Sequence, residues 1–232
     1  MTVWTDYGSM AAQVDSWAGK SPVGSCLNAG ELADSLAFGD YSLEMLKTVL
    51  PVLSRYPGRE LYLLTKSTGE VLDGLKPESF VTVGFSVNAE EVGAAYEKGA
   101  PLPSERLAGA KRLRDRGWRI KIRLDPMIPV DGWERAYGDV IRLINELAPE
   151  KVTLGSLRFN PSLPGFCPKS DIWRFASERE SGGKLRIDEK TSLAMYRFAL
   201  ERLEPKVTSV CKESPLIWKG LGPGRLNCVC LA

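Results

Sequence analysis

Short apolar runs alternate with amphipathic stretches along this chain, and the runs share a pattern of parity. Val23 to Asn28, Leu61 to Lys66, Phe80 to Asn88 and Trp118 to Asp125 each finish on small polar or charged residues. Successive side chains of a strand point to opposite faces, so each run splits into two sets. One parity holds Leu61, Leu63, Val81, Val83, Phe85, Ile120, Ile122 and Leu124, all apolar. The other holds Cys26, Asn28, Lys66, Gly84, Ser86, Asn88, Arg123 and Asp125. A parallel barrel uses both, one face toward helices and one toward the lumen. Polar residues at the carboxyl ends of barrel strands read as a site, because those ends and the loops after them form the mouth. One polar ending is as readily a plain strand-to-loop junction; four with matching parity predict a site.

The stretches between the runs have helical period. Met10 to Trp17 reads as a helix ending before Gly19, and Leu43 to Leu53 sets Leu43, Leu46, Leu50 and Leu53 on one face. Glu90 to Tyr96 and Pro103 to Arg116 follow, the second stopped by Gly117. Trp133 to Leu147 places Trp133, Tyr137, Ile141, Ile144 and Leu147 at helical spacing, a core-packing stripe. Lys151 to Gly155 is a further buried strand, Thr191 to Leu203 a further helix, and Thr2 to Thr5 a short strand. Such alternation implies parallel strands with right-handed crossovers. The predicted fold class is α/β, a partial TIM-like (β/α) barrel over residues 1–160. Residues 161–232 form a C-terminal extension holding a long loop, a helix and a cysteine-containing tail. Asn160 to Gly183 has no sustained period and reads as that loop, with a short helix near Trp173.

Composition narrows the chemistry. Thirty-one Lys and Arg against 29 Asp and Glu give a net charge of +2, so no global field calls for nucleic acid. The chain contains no histidine, which excludes a Ser-His-Asp triad or a histidine-bound zinc within it. Five cysteines at irregular spacing argue against a secreted disulfide framework. With no signal-like start and no apolar run of spanning length, the expectation is a soluble, cytoplasmic protein without a membrane partner.

Several ordered segments carry a resemblance. Cys26-Leu-Asn-Ala-Gly-Glu-Leu-Ala-Asp-Ser-Leu36 leaves a strand and turns at Gly30, where glycine permits close backbone approach to a ligand. Leu64-Thr-Lys-Ser67, Gly84-Phe-Ser-Val-Asn88, Glu105-Arg-Leu107, Asp125-Pro-Met-Ile128, Gly132-Trp-Glu134 and Gly155-Ser-Leu-Arg-Phe159 follow. In this order and spacing they resemble the spore photoproduct lyase family, radical S-adenosylmethionine enzymes that repair DNA lesions without light. The resemblance runs from about residue 2 to residue 160. It loosens in the long loop and returns at Cys211-Lys-Glu213 and Cys228-Val-Cys230.

That resemblance implies S-adenosylmethionine as cofactor and a nucleic-acid lesion as substrate. In the family a CxxxCxxC loop after the first barrel strand holds a [4Fe–4S] cluster, which reduces the cofactor to a 5′-deoxyadenosyl radical. No such spacing occurs among Cys26, Cys167, Cys211, Cys228 and Cys230. Thr2 to Thr5 looks like the family's second strand, so the first strand and cluster loop are expected from a missing N-terminal segment or a separate chain. A degenerate relative is the other reading. Carried over by position, Lys66 and Ser86 stand where the family contacts the methionine end of the cofactor. An ammonium and a hydroxyl suit its carboxylate. Asn28, Glu31, Asn88, Arg123 and Asp125 complete the cofactor-binding set. Cys26, eight residues before Asp34, stands where the family keeps a hydrogen-atom donor.

The same residues have plainer readings. Cys26 is equally a small buried hydrophobe, the usual fate of a free cysteine. The basic run from Arg106 to Arg123 reads as a solvated face where it is helical. Arg119, Lys121 and Arg123 instead take lumen parity and need acidic partners such as Asp125, or a bound anion. Cys211, Cys228 and Cys230 fall short of a four-ligand zinc site, so no metal ligand is assigned. The functional alternative to a lyase is a non-catalytic barrel fragment that binds a nucleotide or a partner protein.

Overall fold

The computed structural model describes residues 5–30, 33–179, 183–204 and 208–222. Glu31, the residues 2–4 of the first predicted strand, and Cys228 and Cys230 lie outside them. In chain order the elements are α1 Tyr7–Lys20, β1 Cys26–Asn28, α2 Asp40–Leu53, β2 Glu60–Thr65, β3 Val81–Val87, α3 Glu90–Tyr96, α4 Pro103–Asp115 and β4 Arg119–Met127. Then come α5 Trp133–Leu147, β5 Lys151–Ser156, β6 Arg158–Phe159, β7 Glu178–Arg179, β8 Leu185–Arg186, α6 Glu189–Arg202, β9 Thr208–Val210 and α7 Pro215–Leu221. Six parallel strands in the order β1-β2-β3-β4-β5-β9, alternating with helices, make this an α/β fold of the partial TIM-like barrel class. The apolar parity set is buried throughout, none of its eight members more than 2% exposed.

Contacts divide the chain into two compact units, and the division cuts β3 after Phe85 and β4 after Lys121. The first unit holds α1, α2, β1, β2 and the adjoining parts of β3, α4 and β4. α1 runs three residues beyond its predicted span at each end; at its start the Asp6 carboxylate accepts from the Ser9 N–H at 2.9 Å and caps it. α2 begins at Asp40 and buries Leu46, Val49, Val52 and Leu53, whereas Leu43 and Leu50 are only half-buried. β1 is shorter than predicted. Val23 is 76% exposed, and the ladder starts only at Cys26.

The second unit holds α3, α5, α6, α7, β5, β9 and the remainder of β3, α4 and β4, with the small strands. β9 pairs in parallel with β5, Val152 opposite Thr208 and Leu154 opposite Val210. The C-terminal part therefore contributes a strand to the main sheet. α5 matches its predicted bounds; Tyr137, Ile141, Ile144 and Leu147 are buried, and Trp133 meets Phe198 edge-on at 5.2 Å. The stretch predicted as a loop contains 3-10 turns at Leu163–Gly165 and Asp171–Phe175, the second including Trp173. β7 lies within it too, in an antiparallel sheet of order β6-β8-β7. Strands of two residues are too short to show a period, which is why the pattern gave no sign of them.

Candidate functional site

In the first unit the carboxyl end of β2 is fixed by the chain that follows β1. The Asp34 carboxylate accepts from the Thr65 hydroxyl at 2.7 Å, the Lys66 N–H at 2.5 Å and the Leu36 N–H at 2.8 Å. Ser35 accepts the Leu64 N–H at 3.1 Å, and the Ser67 N–H donates to the Thr65 hydroxyl at 2.8 Å. Lys66 is half-buried and leaves a strand end whose main chain is thus held in place. Asn28 accepts the Gly30 N–H at 3.0 Å, a local turn. Gly30 needs its missing side chain for packing: a Cβ there would lie 2.4 Å from Leu64 Cβ and 2.8 Å from Leu64 N. The close approach that the structure shows at Gly30 is to β2.

Cys26 has the expected parity but not the expected depth. It registers with Glu60, the first residue of β2, while Lys66 follows the last. Six residues at about 3.3 Å each separate the two levels by about 20 Å along the strand. Cys26 lies two residues before the carboxyl end of the short β1, and the thiol is level with the amino end of β2. Its neighbours are ionic. Burial pushes the thiol up, Lys121 opposes this, Glu60 adds to it and Arg119 opposes it, and the net result is a thiol above its ordinary value. Arg119 pairs with Glu60 at 3.1 Å, and the Lys121 ammonium lies 5.5 Å from the Tyr62 ring centre. Gly84 makes room for that ring, since a Cβ there would fall 2.1 Å from the Tyr62 hydroxyl.

The second unit gathers the remaining candidates at the ends of β3, β4 and β5. Arg123 and Arg158 share the Asp125 carboxylate, Arg123 at 2.8 Å and Arg158 at 3.1 Å, with all three side chains largely buried. Burial drives the Asp125 carboxyl up, but the Arg158 and Arg123 guanidiniums outweigh it and hold the group below the ordinary aspartate range. Asp125 is the acidic partner expected for Arg123. Gly155 leaves the space for it, because a Cβ there would stand 2.4 Å from the carboxyl carbon. Arg123 also donates to the Cys211 sulfur at 3.3 Å, which puts a fully buried thiol beside this cluster.

Ser86 and Asn88 are almost fully buried. The Ser86 hydroxyl donates to the Asp125 carbonyl at 3.4 Å, a long bond. Asn88 donates to the Pro126 carbonyl at 2.8 Å and accepts from the Tyr137 hydroxyl at 2.7 Å, which itself accepts the Ile128 N–H at 2.6 Å. Asn88 is therefore a structural junction between strand ends. Farther along, Glu213 accepts from Ser156 at 2.7 Å, pairs with Arg186 at 3.1 Å and accepts from Tyr196. Burial, then the Glu213 carboxylate, push the Tyr196 phenol well up. Among the described residues no group of three Cys, Asp or Glu side chains could hold a metal ion.

Arg106, Arg158, Tyr196 and Glu213 were not singled out as site residues. Arg106 had a readable signal. It precedes Ala110 and Leu113 by four and seven residues, so a guanidinium stands on the apolar face of α4. The helical reading of a solvated basic run fails there, for Arg106 is 0% exposed.

The sequence matches no protein-family model and no curated protein. Solved structures do resemble it. A mutant of spore photoproduct lyase aligns over 90% of this chain and 67% of its own, with a TM-score of 0.75 at 17% identity. The same lyase complexed with dinucleoside spore photoproduct aligns over the same shares, with a TM-score of 0.73 at 18% identity. Streptococcus suis SuiB bound to its precursor peptide SuiA aligns over 95% of this chain and 45% of its own, with a TM-score of 0.59 at 9% identity. At such identities the likeness establishes the fold alone: the chain shares the fold of the spore photoproduct lyase structures.

Proposed function

We propose that this chain is the cofactor-binding part of a radical S-adenosylmethionine lyase resembling spore photoproduct lyase. It acts on a pyrimidine photoproduct of DNA or a related nucleic-acid lesion. The observation that carries the reading is the fold likeness over 90% of the chain. The polar strand ends agree with it. In the first unit Lys66, one residue past the end of β2, carries an ammonium, and in the second unit Ser86 carries a hydroxyl; either group suits the carboxylate of the cofactor. Arg123 and Asp125, with Arg158, supply buried charge at the next strand end. These residues would hold S-adenosylmethionine, which would supply hydrogen-abstracting carbon-radical chemistry, with methionine as leaving group, on one-electron reduction by the family's cluster. One mutant of the lyase is described with bound AdoMet and dinucleoside spore photoproduct.

The [4Fe–4S] cluster does not fit the described residues, among which no three candidate ligands come together. Its ligands belong, on this reading, to a segment or chain beyond these 232 residues. Cys26 keeps its proton at neutral pH, as a hydrogen-atom donor must, but it acts only on a substrate that reaches the level of Glu60 and Lys121. A barrel fragment that binds a nucleotide without catalysis remains the second reading, favoured by the absent CxxxCxxC.

The test is anaerobic reconstitution with iron and sulfide. Alone, the chain is expected to give no 5′-deoxyadenosine. Supplied with a segment carrying CxxxCxxC, it is expected to cleave S-adenosylmethionine and convert dinucleoside spore photoproduct. Cys26→Ala should then preserve cofactor cleavage and divert the substrate radical to side products. An assembled cluster without cofactor cleavage would support the binding module instead.

A further inference from the structure

Arg106 stands out because its burial is costly and the mechanism does not use it. The side chain comes from α4, is 0% exposed, and lies 2.5 Å from a Glu97 carboxylate oxygen as an ion pair outside hydrogen-bond angles. Its Nε donates to the Pro101 carbonyl at 2.8 Å and an Nη to the Ser86 carbonyl at 3.0 Å. The Glu97 carboxylate in turn meets the Asn88 amide at 3.5 Å. Asn88 ties onward to the Pro126 carbonyl and to Tyr137, whose hydroxyl accepts the Ile128 N–H. One buried charge pair thus grips the main chain of Ser86, while Asn88 and Tyr137 carry the grip to the end of β4.

Charge pairs of this kind seldom add net stability over well-packed apolar residues, because desolvation offsets the attraction. What such a pair supplies is geometry: a guanidinium directed at two carbonyls fixes them in a way methyl groups do not. We propose that Arg106 and Glu97 are positioning residues that hold the Ser86–Asn88 backbone in the conformation that binds S-adenosylmethionine. The inference rests on the cofactor reading of Ser86. It adds that the affinity of that strand end depends on a charge pair touching neither cofactor nor substrate.

Two variants separate positioning from packing. Arg106→Lys keeps the charge and loses the fork. The double variant Arg106→Met with Glu97→Met removes both charges together and avoids a stranded ion. The readouts are equilibrium dialysis of S-adenosylmethionine, amide hydrogen exchange over residues 86–89, and the thermal midpoint. The double variant is expected to melt within a few degrees of the wild type, yet to bind S-adenosylmethionine about tenfold more weakly, with faster exchange at 86–89. Arg106→Lys should show the same exchange and binding defects. Wild-type affinity and exchange in the double variant would overturn the positioning role and leave the cofactor reading standing. Failure of the wild-type chain to bind S-adenosylmethionine at all would overturn both.

Discussion

Asp125 is a buried carboxylate shared by two guanidiniums at the strand ends. Burial alone would favour its neutral form, and the Arg158 and Arg123 guanidiniums reverse that preference. A carboxyl whose folded value is depressed contributes stability that is fully present above the ordinary aspartate value, about 3.9. That contribution is lost as the pH falls through the depressed value. Asp125→Asn should therefore destabilise the chain at pH 7 by roughly 3 kcal/mol, since two buried guanidiniums lose their counter-charge. The deficit should shrink as the pH falls below about 4. Urea unfolding of both proteins from pH 7 to pH 2.5 measures it; parallel curves throughout would mean that the carboxylate is not held as described. Gly155 makes this arrangement sterically possible, so a residue without a side chain is part of the charged cluster.

At the scale of elements, the two faces of each strand answer to different physics. Phe85 is fully buried on the helix-packed parity, and the hydroxyl of its neighbour Ser86 makes one long bond among the described residues. Phe85→Ala should cost about 3–5 kcal/mol in urea unfolding, by lost transfer energy and a residual cavity. Ser86→Ala should cost about 1 kcal/mol or less. Equal costs would contradict the parity assignment. This division was legible in the sequence because period-2 alternation is a local signal. The bounds of α3 and α5 were equally legible, from apolar spacing and flanking residues. Depth along the sheet was not. Parity is unchanged by any even shift in register, so Cys26 keeps its face whether it lies level with Glu60 or with Lys66. Only the pairing of β1 with β2 decides the level. Arg106 shows the converse limit: its helical phase was readable, but of the carbonyls that justify burying it one, Ser86, comes from β3, and only tertiary packing brings it there.

At the scale of the whole molecule, the α/β order and the parallel pairing of the main sheet agree with what alternation predicted. The small antiparallel sheet and the placement of β9 beside β5 arise from long-range pairing that no local pattern encodes. No helix among the described residues is long and apolar enough to cross a membrane. The central claim concerns what these strand ends hold, and equilibrium dialysis of S-adenosylmethionine against the chain tests it most directly. The account predicts saturable binding that Lys66→Ala weakens by about tenfold, near the 1.5–3 kcal/mol of a hydrogen bond to a charged group. Binding that is not saturable, or that is as tight in Lys66→Ala as in the wild type, would contradict it.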